Sequence, residues 1–318
     1  HQMIGVTRFL VYSNDCRDGT EAVLSAVSDA LRVTHLPNPE QGRHYQMEAL
    51  RAARKHPAVQ DADWVWISDV DEFLNIHVGD HSIPALVAAC RSPQAISLSF
   101  RFFANDGVDL FEDTPVIAQF QACHAPDIWA ADLAIEVKTL VRNDFPLRHF
   151  GAHRPFVRGE DMPLWTDGSG RMVPKSFTQA SNDRRLRRFP ATGARRYGTL
   201  NHYALRSLDS YLIKRDRGDV NRPNRAFDTD YWADRNDIQC RDDSILRHLP
   251  ALQDRLKELR TDPAIDAAHR AAVRWHTETA KALRKTPDGV ALIGALRTCP
   301  PIPRAEWALC TDLGITPG

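Results

Sequence analysis

The chain has 318 residues, with 41 lysines and arginines balancing 41 aspartates and glutamates, and 43% of its positions are apolar. This suits one large α/β domain with an appendage, or two domains, and excludes a peptide-scale scaffold, a disordered charged tail and the charge excess of a dedicated nucleic-acid binder. The 6 cysteines are dispersed without a C-x-x-C pair, no apolar run reaches the roughly 20 residues that span a bilayer, and the first residues lack a signal-peptide layout, so the expectation is a cytoplasmic protein in a reducing compartment.

In chain order, "RFLVYSND" reads as a strand running into a polar turn, and "GTEAVLSAVSDALR" follows with Val23, Leu24, Val27, Ala30 and Leu31 at helical spacing. After the loop "HLPNPEQG", the segment "RHYQMEALRAARKH" has helical composition, with Tyr45, Met47, Leu50 and Ala53 on its inner side and Pro57 beyond its end. "DWVWISDVDEF" is then a buried strand closing on Asp69, Asp71 and Glu72. The order β, α, α, β indicates an α/β sheet with ligands beyond the carboxyl ends of its strands. "AISLSFRFF" and "IEVKTLVR" alternate as half-buried strands do. Between about Phe150 and Tyr197 periodicity fades and proline, glycine and arginine accumulate, so this stretch reads as a long loop. "SILRHLPALQDRLKELR" and "DAAHRAAVRWHTETAKALRK" return to helical spacing.

Three carboxylates at a strand end need a cation, a basic partner or water to offset their repulsion. Asp69-x-Asp71 offers hard oxygen ligands suited to magnesium or manganese, although an isolated Asp-x-Asp is more often a solvated loop or a helix cap.

Taken together, "YSNDCRDGT", "QGRHYQMEALRAAR" and "DWVWISDVDEFL" resemble, in order, the acidic turn, the next helix and the metal-binding D-x-D strand of family 2 glycosyltransferases. "EVKTLVRN", "GAHRP" and "NHYALRSLDSYLIKRDRG" resemble segments of relatives of the family 92 type. The resemblance covers about residues 1–220 and implies a GT-A (nucleotide-diphospho-sugar transferase) fold, a mixed, mostly parallel sheet flanked by helices; the helical spacing beyond it, which resembles no family, reads as a helical C-terminal extension over 221–318. The resemblance implies an inverting glycosyltransferase that uses Mn2+ or Mg2+, a nucleotide-sugar donor, in the first place a UDP-sugar, and a glycan or other hydroxyl acceptor. No nucleic acid is involved, and peripheral contact with a membrane is compatible with it. In the families resembled, a strand bearing a nucleotide-contacting acid precedes the segment matched by "HQMIGV", so donor binding by this chain is expected to be incomplete.

By position in that family, Asp71 is the leading metal ligand, Asp69 shares the ion or meets the ribose, and His202 completes the shell, with His153 a weaker candidate. Glu72 is either a sugar contact or an acceptor of hydrogen bonds from nearby backbone or arginine. Asn14 and Asp18 fall on the nucleoside side, where an Asx-turn and a helix start are equally natural. Arg43 and Gln46 lie on the helix that faces the nucleotide in relatives. An inverting displacement needs a carboxylate base. The candidates are Glu136, Asp106, Glu112 and Asp132, with Glu136 preferred because Lys138, two residues on, is placed to meet a phosphate; the alternative is a Glu136/Lys138 charge pattern on a wet sheet face. Lys214, Arg215 and Arg217, with Arg184, Arg185, Arg187 and Arg188, are a diphosphate clamp or a solvated basic surface. Two other readings stay open: a metal phosphohydrolase using Asp69 and Asp71, against which Phe73 stands, and a non-catalytic glycan- or nucleotide-binding module.

Overall fold

A computed structural model of the chain describes residues 1–39, 44–126, 136–179, 192–218, 227–299 and 312–314. The chain forms two compact units, each drawn from separate stretches: His1–Leu10, Asn38–Arg101 and Pro126–His202 in one, Val11–Pro37, Phe102–Ala125 and Tyr203–Gly318 in the other. This division cuts across the 1–220 and 221–318 segments expected from the sequence.

The first unit is built on strands β1 (Trp64–Trp66), β2 (Glu72–Ile76), β3 (Ala95–Phe102), β4 (Val137–Arg142), β5 (Trp165–Asp167) and β6 (Gly198–His202). Their spatial order is β1-β4-β3-β6-β2, and β5 pairs with β3. β4 is antiparallel to β1 and β3, β6 is antiparallel to β2, and β5 is parallel to β3. The sheet is therefore mixed, with antiparallel ladders outnumbering parallel ones among the described registers, where a mostly parallel sheet was expected. The cause lies in the connections. Parallel pairing needs long crossovers, usually helical, and the longer described helices of this unit, α1 (Tyr45–Lys55) and α2 (Ile83–Ala89), both precede β3.

β3 and β4 are not half-buried. Every residue of β3 is buried, as are Val137 to Val141 of β4. The polar members of the alternation face partners instead of water: Ser97 Oγ lies 2.9 Å from Thr139 Oγ1 and accepts the Trp165 indole N–H at 2.9 Å. Trp165 is fully buried among Ala95, Val141, Phe145 and Phe177. At the end of β5, a Cβ on Gly168 would stand 2.7 Å from the Gly198 carbonyl and 2.8 Å from that of Ala194, so only glycine lets the chain pass there. The stretch expected to be a long loop contains β5, the strand Pro155–Val157 and the turn of helix Lys175–Thr178. Elements of three or four residues are too short to show a period. The arginines at 184, 185, 187 and 188 lie outside the described residues.

In the second unit, α3 (Leu208–Arg217), α4 (Leu249–Leu259), α5 (Pro263–Leu283) and α6 (Pro287–Thr298) are the longer helices. Asp262 and Thr286 cap α5 and α6, each ahead of a proline at the first helical position. Leu208, Tyr211 and Leu212 pack with Tyr231, Trp232, Leu292 and Leu296 in one cluster. The helix expected to follow "DGT" is interrupted: Thr20–Ala26 ends at Val27 and Ser28–Leu31 follows. No helix among the described residues is long and apolar enough to cross a membrane.

Ser97→Ala should lower stability by about 1–3 kcal/mol in chemical denaturation, because it strands the buried Trp165 indole N–H; pairing it with Trp165→Phe should cost less than the two single changes summed. A second expectation concerns His276 on α5, whose Nε2 lies 3.2 Å from Ser210 Oγ and whose ring meets Phe111 at 4.1 Å. Burial, then Arg206, hold its pKa below the ordinary 6.5, against Asp209 and Asp18. The folded state thus favours the neutral ring. Stability from this site is present above pH 6.5 and falls as the pH drops below it toward the depressed value. Denaturation midpoints across pH 8 to 5 should decline less steeply in His276→Gln than in the parent chain.

Candidate functional site

The tryptophan-rich strand stops at Trp66, and the acids occupy the turn that follows, with Glu72 opening β2. The Glu72 N–H donates to the Asp69 carbonyl at 3.2 Å, closing a tight turn with Val70 and Asp71 at its corners. The Asp69 N–H donates in return to Glu72 Oε2 at 2.9 Å. Val70 is 91% exposed and Glu72 only 1%. The three carboxylates therefore have three different environments.

Glu72 accepts backbone N–H and faces Lys138, with Nζ 3.3 Å from its Oε2. The same Nζ donates to Asp69 Oδ2 at 3.1 Å. Of the two alternatives for Glu72, the hydrogen-bond acceptor is the one found, with a lysine in place of an arginine. Burial pushes the Glu72 carboxyl above the usual carboxylate range, opposed by Lys138 and aided by Asp69. Burial also works against the Lys138 ammonium, yet Glu72 and Asp69 outweigh it and hold its pKa above the ordinary lysine value. The wet sheet face considered for Glu136 and Lys138 does not exist: they are 4% and 1% exposed.

Asp71 has a different neighbour. Its Oδ1 lies 3.6 Å from His202 Nε2, and the two side chains are 16% and 14% exposed. The ladder register explains the meeting, since His202 at the end of β6 is directly opposite Glu72 at the start of β2. Next across the sheet is Phe100, whose ring stands edge-on to His202 at 5.0 Å and to His153 at 6.1 Å. The Phe100 N–H donates to the Glu136 carbonyl at 2.9 Å. Glu136 Oε2 faces His153 Nε2 at 3.8 Å, while His153 Nδ1 lies 3.2 Å from the Val137 carbonyl. Alternation puts Glu136 and Lys138 on one side of β4. One region of the first unit thus gathers Asp69, Asp71, Glu72, Glu136, Lys138, His153 and His202.

The other expected residues are elsewhere. Gln46 is half-buried on α1 of the same unit, and Arg43 and Asp132 lie outside the described residues. Asn14, Asp18, Asp106, Glu112 and Lys214 belong to the second unit. There Asp18 Oδ1 accepts the Thr20 N–H at 3.0 Å, the turn-and-helix-start role, and Asn14 Nδ2 donates to Asp15 at 3.4 Å. Asp106 Oδ2 accepts the Gln121 and Ala122 amides at 3.4 and 3.3 Å, and its Oδ1 takes Arg241 at 3.0 Å. Those bonds give the carboxylate a local structural task. Lys214 donates to the Ala204 carbonyl at 2.8 Å and Tyr231 Oη at 3.1 Å, and lies against the Phe227 and Tyr231 rings. Sequence reasoning missed the Lys138 contact with the acid turn and the pairing of His153 with Glu136. The available signal was a lysine inside the apolar run "VKTLV".

Among the described residues no group of three or more histidine, cysteine, aspartate or glutamate side chains is arranged to hold a metal ion. The Asp71 carboxylate oxygen and the His202 imidazole nitrogen stand 3.6 Å apart, between the separations of adjacent and of opposite ligands on one octahedral ion, so holding an ion takes a small shift of either side chain. Ligands at about 2.1 Å stand about 3.0 Å apart when adjacent on an octahedron and about 4.2 Å apart when opposite. Magnesium is commonly held by one or two protein ligands with substrate phosphates completing the shell. No protein-family model and no curated protein matches this chain.

Lys138→Met should destabilise the chain by about 3–5 kcal/mol in urea titration by leaving Glu72 buried without its cation, and adding Glu72→Gln should restore a large part of the loss.

Proposed function

We propose that this chain is a metal-dependent glycosyltransferase with a GT-A type fold, moving a sugar from a nucleotide-sugar donor, a UDP-sugar in the first place, to a hydroxyl acceptor with inversion. The observation that carries the reading is the Asp71–His202 pair, 3.6 Å apart, on a turn whose other two acids are anchored by buried Lys138. The ordered resemblance of "YSNDCRDGT", "DWVWISDVDEFL" and "NHYALRSLDSYLIKRDRG" to glycosyltransferase segments supports it.

Asp71 and His202 would hold Mn2+ or Mg2+, leaving most of its shell to the donor's diphosphate. A divalent cation there supplies charge that stabilises the departing diphosphate. Lys138 fixes Glu72 and Asp69 and so sets the direction in which the turn presents Asp71. Asp69, with its carboxylate half exposed, keeps an oxygen for a ribose hydroxyl while Lys138 holds the other. Glu136 takes the proton of the acceptor hydroxyl as that oxygen attacks the anomeric carbon. His153, anchored at Val137, faces the Glu136 carboxylate from the side.

A thermal-shift screen of sugar nucleotides with and without manganese, read beside mass-spectrometric detection of transfer, tests this. Donor should raise the melting temperature only with metal, and Asp71→Asn or His202→Ala should abolish the rise. Glu136→Gln should keep it while slowing transfer about 10²–10⁴-fold. Absence of any sugar-nucleotide response, or one unchanged in Asp71→Asn, would overturn the assignment; a metal-dependent response without turnover over a broad acceptor panel would reduce the chain to a binding module.

A further inference from the structure

A second, chemically different pairing sits in the second unit and is independent of the glycosyltransferase reading. The strands Ala122–Cys123 and Cys240–Arg241 are antiparallel neighbours, with Cys240 directly opposite Cys123 and Arg241 opposite Ala122. Residues directly opposed in such a ladder send their side chains to the same face, with Cα atoms about 4.5–5.5 Å apart. Disulfides take Cα separations of about 4.4–6.8 Å. Neither cysteine is disulfide-bonded here; Cys123 is buried and Cys240 partly exposed, and more than a hundred residues separate them in the chain.

We propose that Cys123 and Cys240 are a reversible redox-modification site that closes to a cross-strand disulfide with a low-molecular-weight disulfide as oxidant. The more accessible Cys240 reacts first: its thiolate attacks one sulfur of glutathione disulfide, forming a mixed disulfide and releasing one glutathione thiolate. Cys123 then loses its proton to solvent, attacks Cys240 Sγ and expels the second glutathione. Two protein thiols are oxidised and one glutathione disulfide is reduced, a two-electron exchange. Cβ atoms in a ladder stand about 4.5–5.5 Å apart and those of a disulfide about 3.5–4.5 Å, so closure draws the two Cβ atoms together by about 1 Å. Strands of only two residues yield to that. The resulting strain keeps the bond reducible, the behaviour of a switch and not of a permanent staple.

The bond would tie together the two sides of one cavity. Cys123 also bridges Phe103, and the Ala104 N–H donates to the Ala122 carbonyl at 2.9 Å, which holds the turn bearing Asn105 and Asp106. On the other side, Asn236 and Ile238 lead into Cys240. Asn105, Asp106, Asn236 and Ile238 line a common cavity of about 440 Å³.

The full chain, folded and reduced, is equilibrated with glutathione disulfide, alkylated, digested and mapped by mass spectrometry, with melting curves run in parallel. The expected product is a Cys123–Cys240 cross-linked peptide and a melting temperature raised by several degrees, both reversed by dithiothreitol. Cys240→Ser should fold, melt like the parent in reductant and lose both effects; being only partly buried, it carries the test even if Cys123→Ser does not fold. Unresolved glutathionylation of Cys240, two thiols still open to alkylation at equilibrium, or a cross-link appearing only in denaturant would each overturn the proposal.

Discussion

One buried ammonium organises the acid turn. Taking Lys138 out of water costs several kcal/mol unless oppositely charged partners surround it, and β4 buries it to 1% exposure. The chain meets that requirement with Glu72 and Asp69, and in doing so fixes both ends of a four-residue turn. Asp71, at a corner of that turn, is left to face His202. Removing the lysine would free more than one charge: the turn has backbone bonds of its own, but its two flanking carboxylates would repel each other and release the orientation of the third.

The division of labour among the three acids follows from burial. Glu72 is inaccessible and works as an anchor, and Asp69 is half exposed, with one oxygen committed. Asp71 sits between these extremes beside an imidazole. Across the sheet, Phe100 separates the Asp71–His202 pair from Glu136–His153 while touching both histidines edge-on, so two pairs of titratable groups share an apolar divider. In the chemistry proposed for the site, such a divider keeps the group that leaves and the group that attacks on separate charge systems.

Much of this was legible in the sequence for local reasons. The α1 helix, β3, β4 and the carboxylates at the end of a tryptophan-rich strand all declare themselves by period and by abrupt change of polarity. His202 was traceable only through an ordered resemblance, because nothing local distinguishes it from a structural histidine. Burial of both faces of β3 and β4 escaped the reading, since Ser97, Ser99 and Thr139 mimic a solvent-facing row while in fact some of them bond one another and Trp165. The strand directions escaped too: alternation reports which face a residue takes, never the sense of its neighbour. Asp106 and Lys214 looked functional because charge was visible and their backbone partners were not; Gln121, Ala122 and Ala204 engage them through main-chain groups that any sequence would possess.

Val70 has a consequence for affinity. Its side chain is 91% exposed between two carboxylates, an apolar cap that no other described residue covers. Any molecule that lays an apolar surface on the tip of the turn desolvates that isopropyl group and gains about 1.5 kcal/mol or more, roughly a tenfold in binding, without forming a single new polar bond. A position that an Asp-x-Asp pattern marks only with an x is, in energetic terms, a contact of its own.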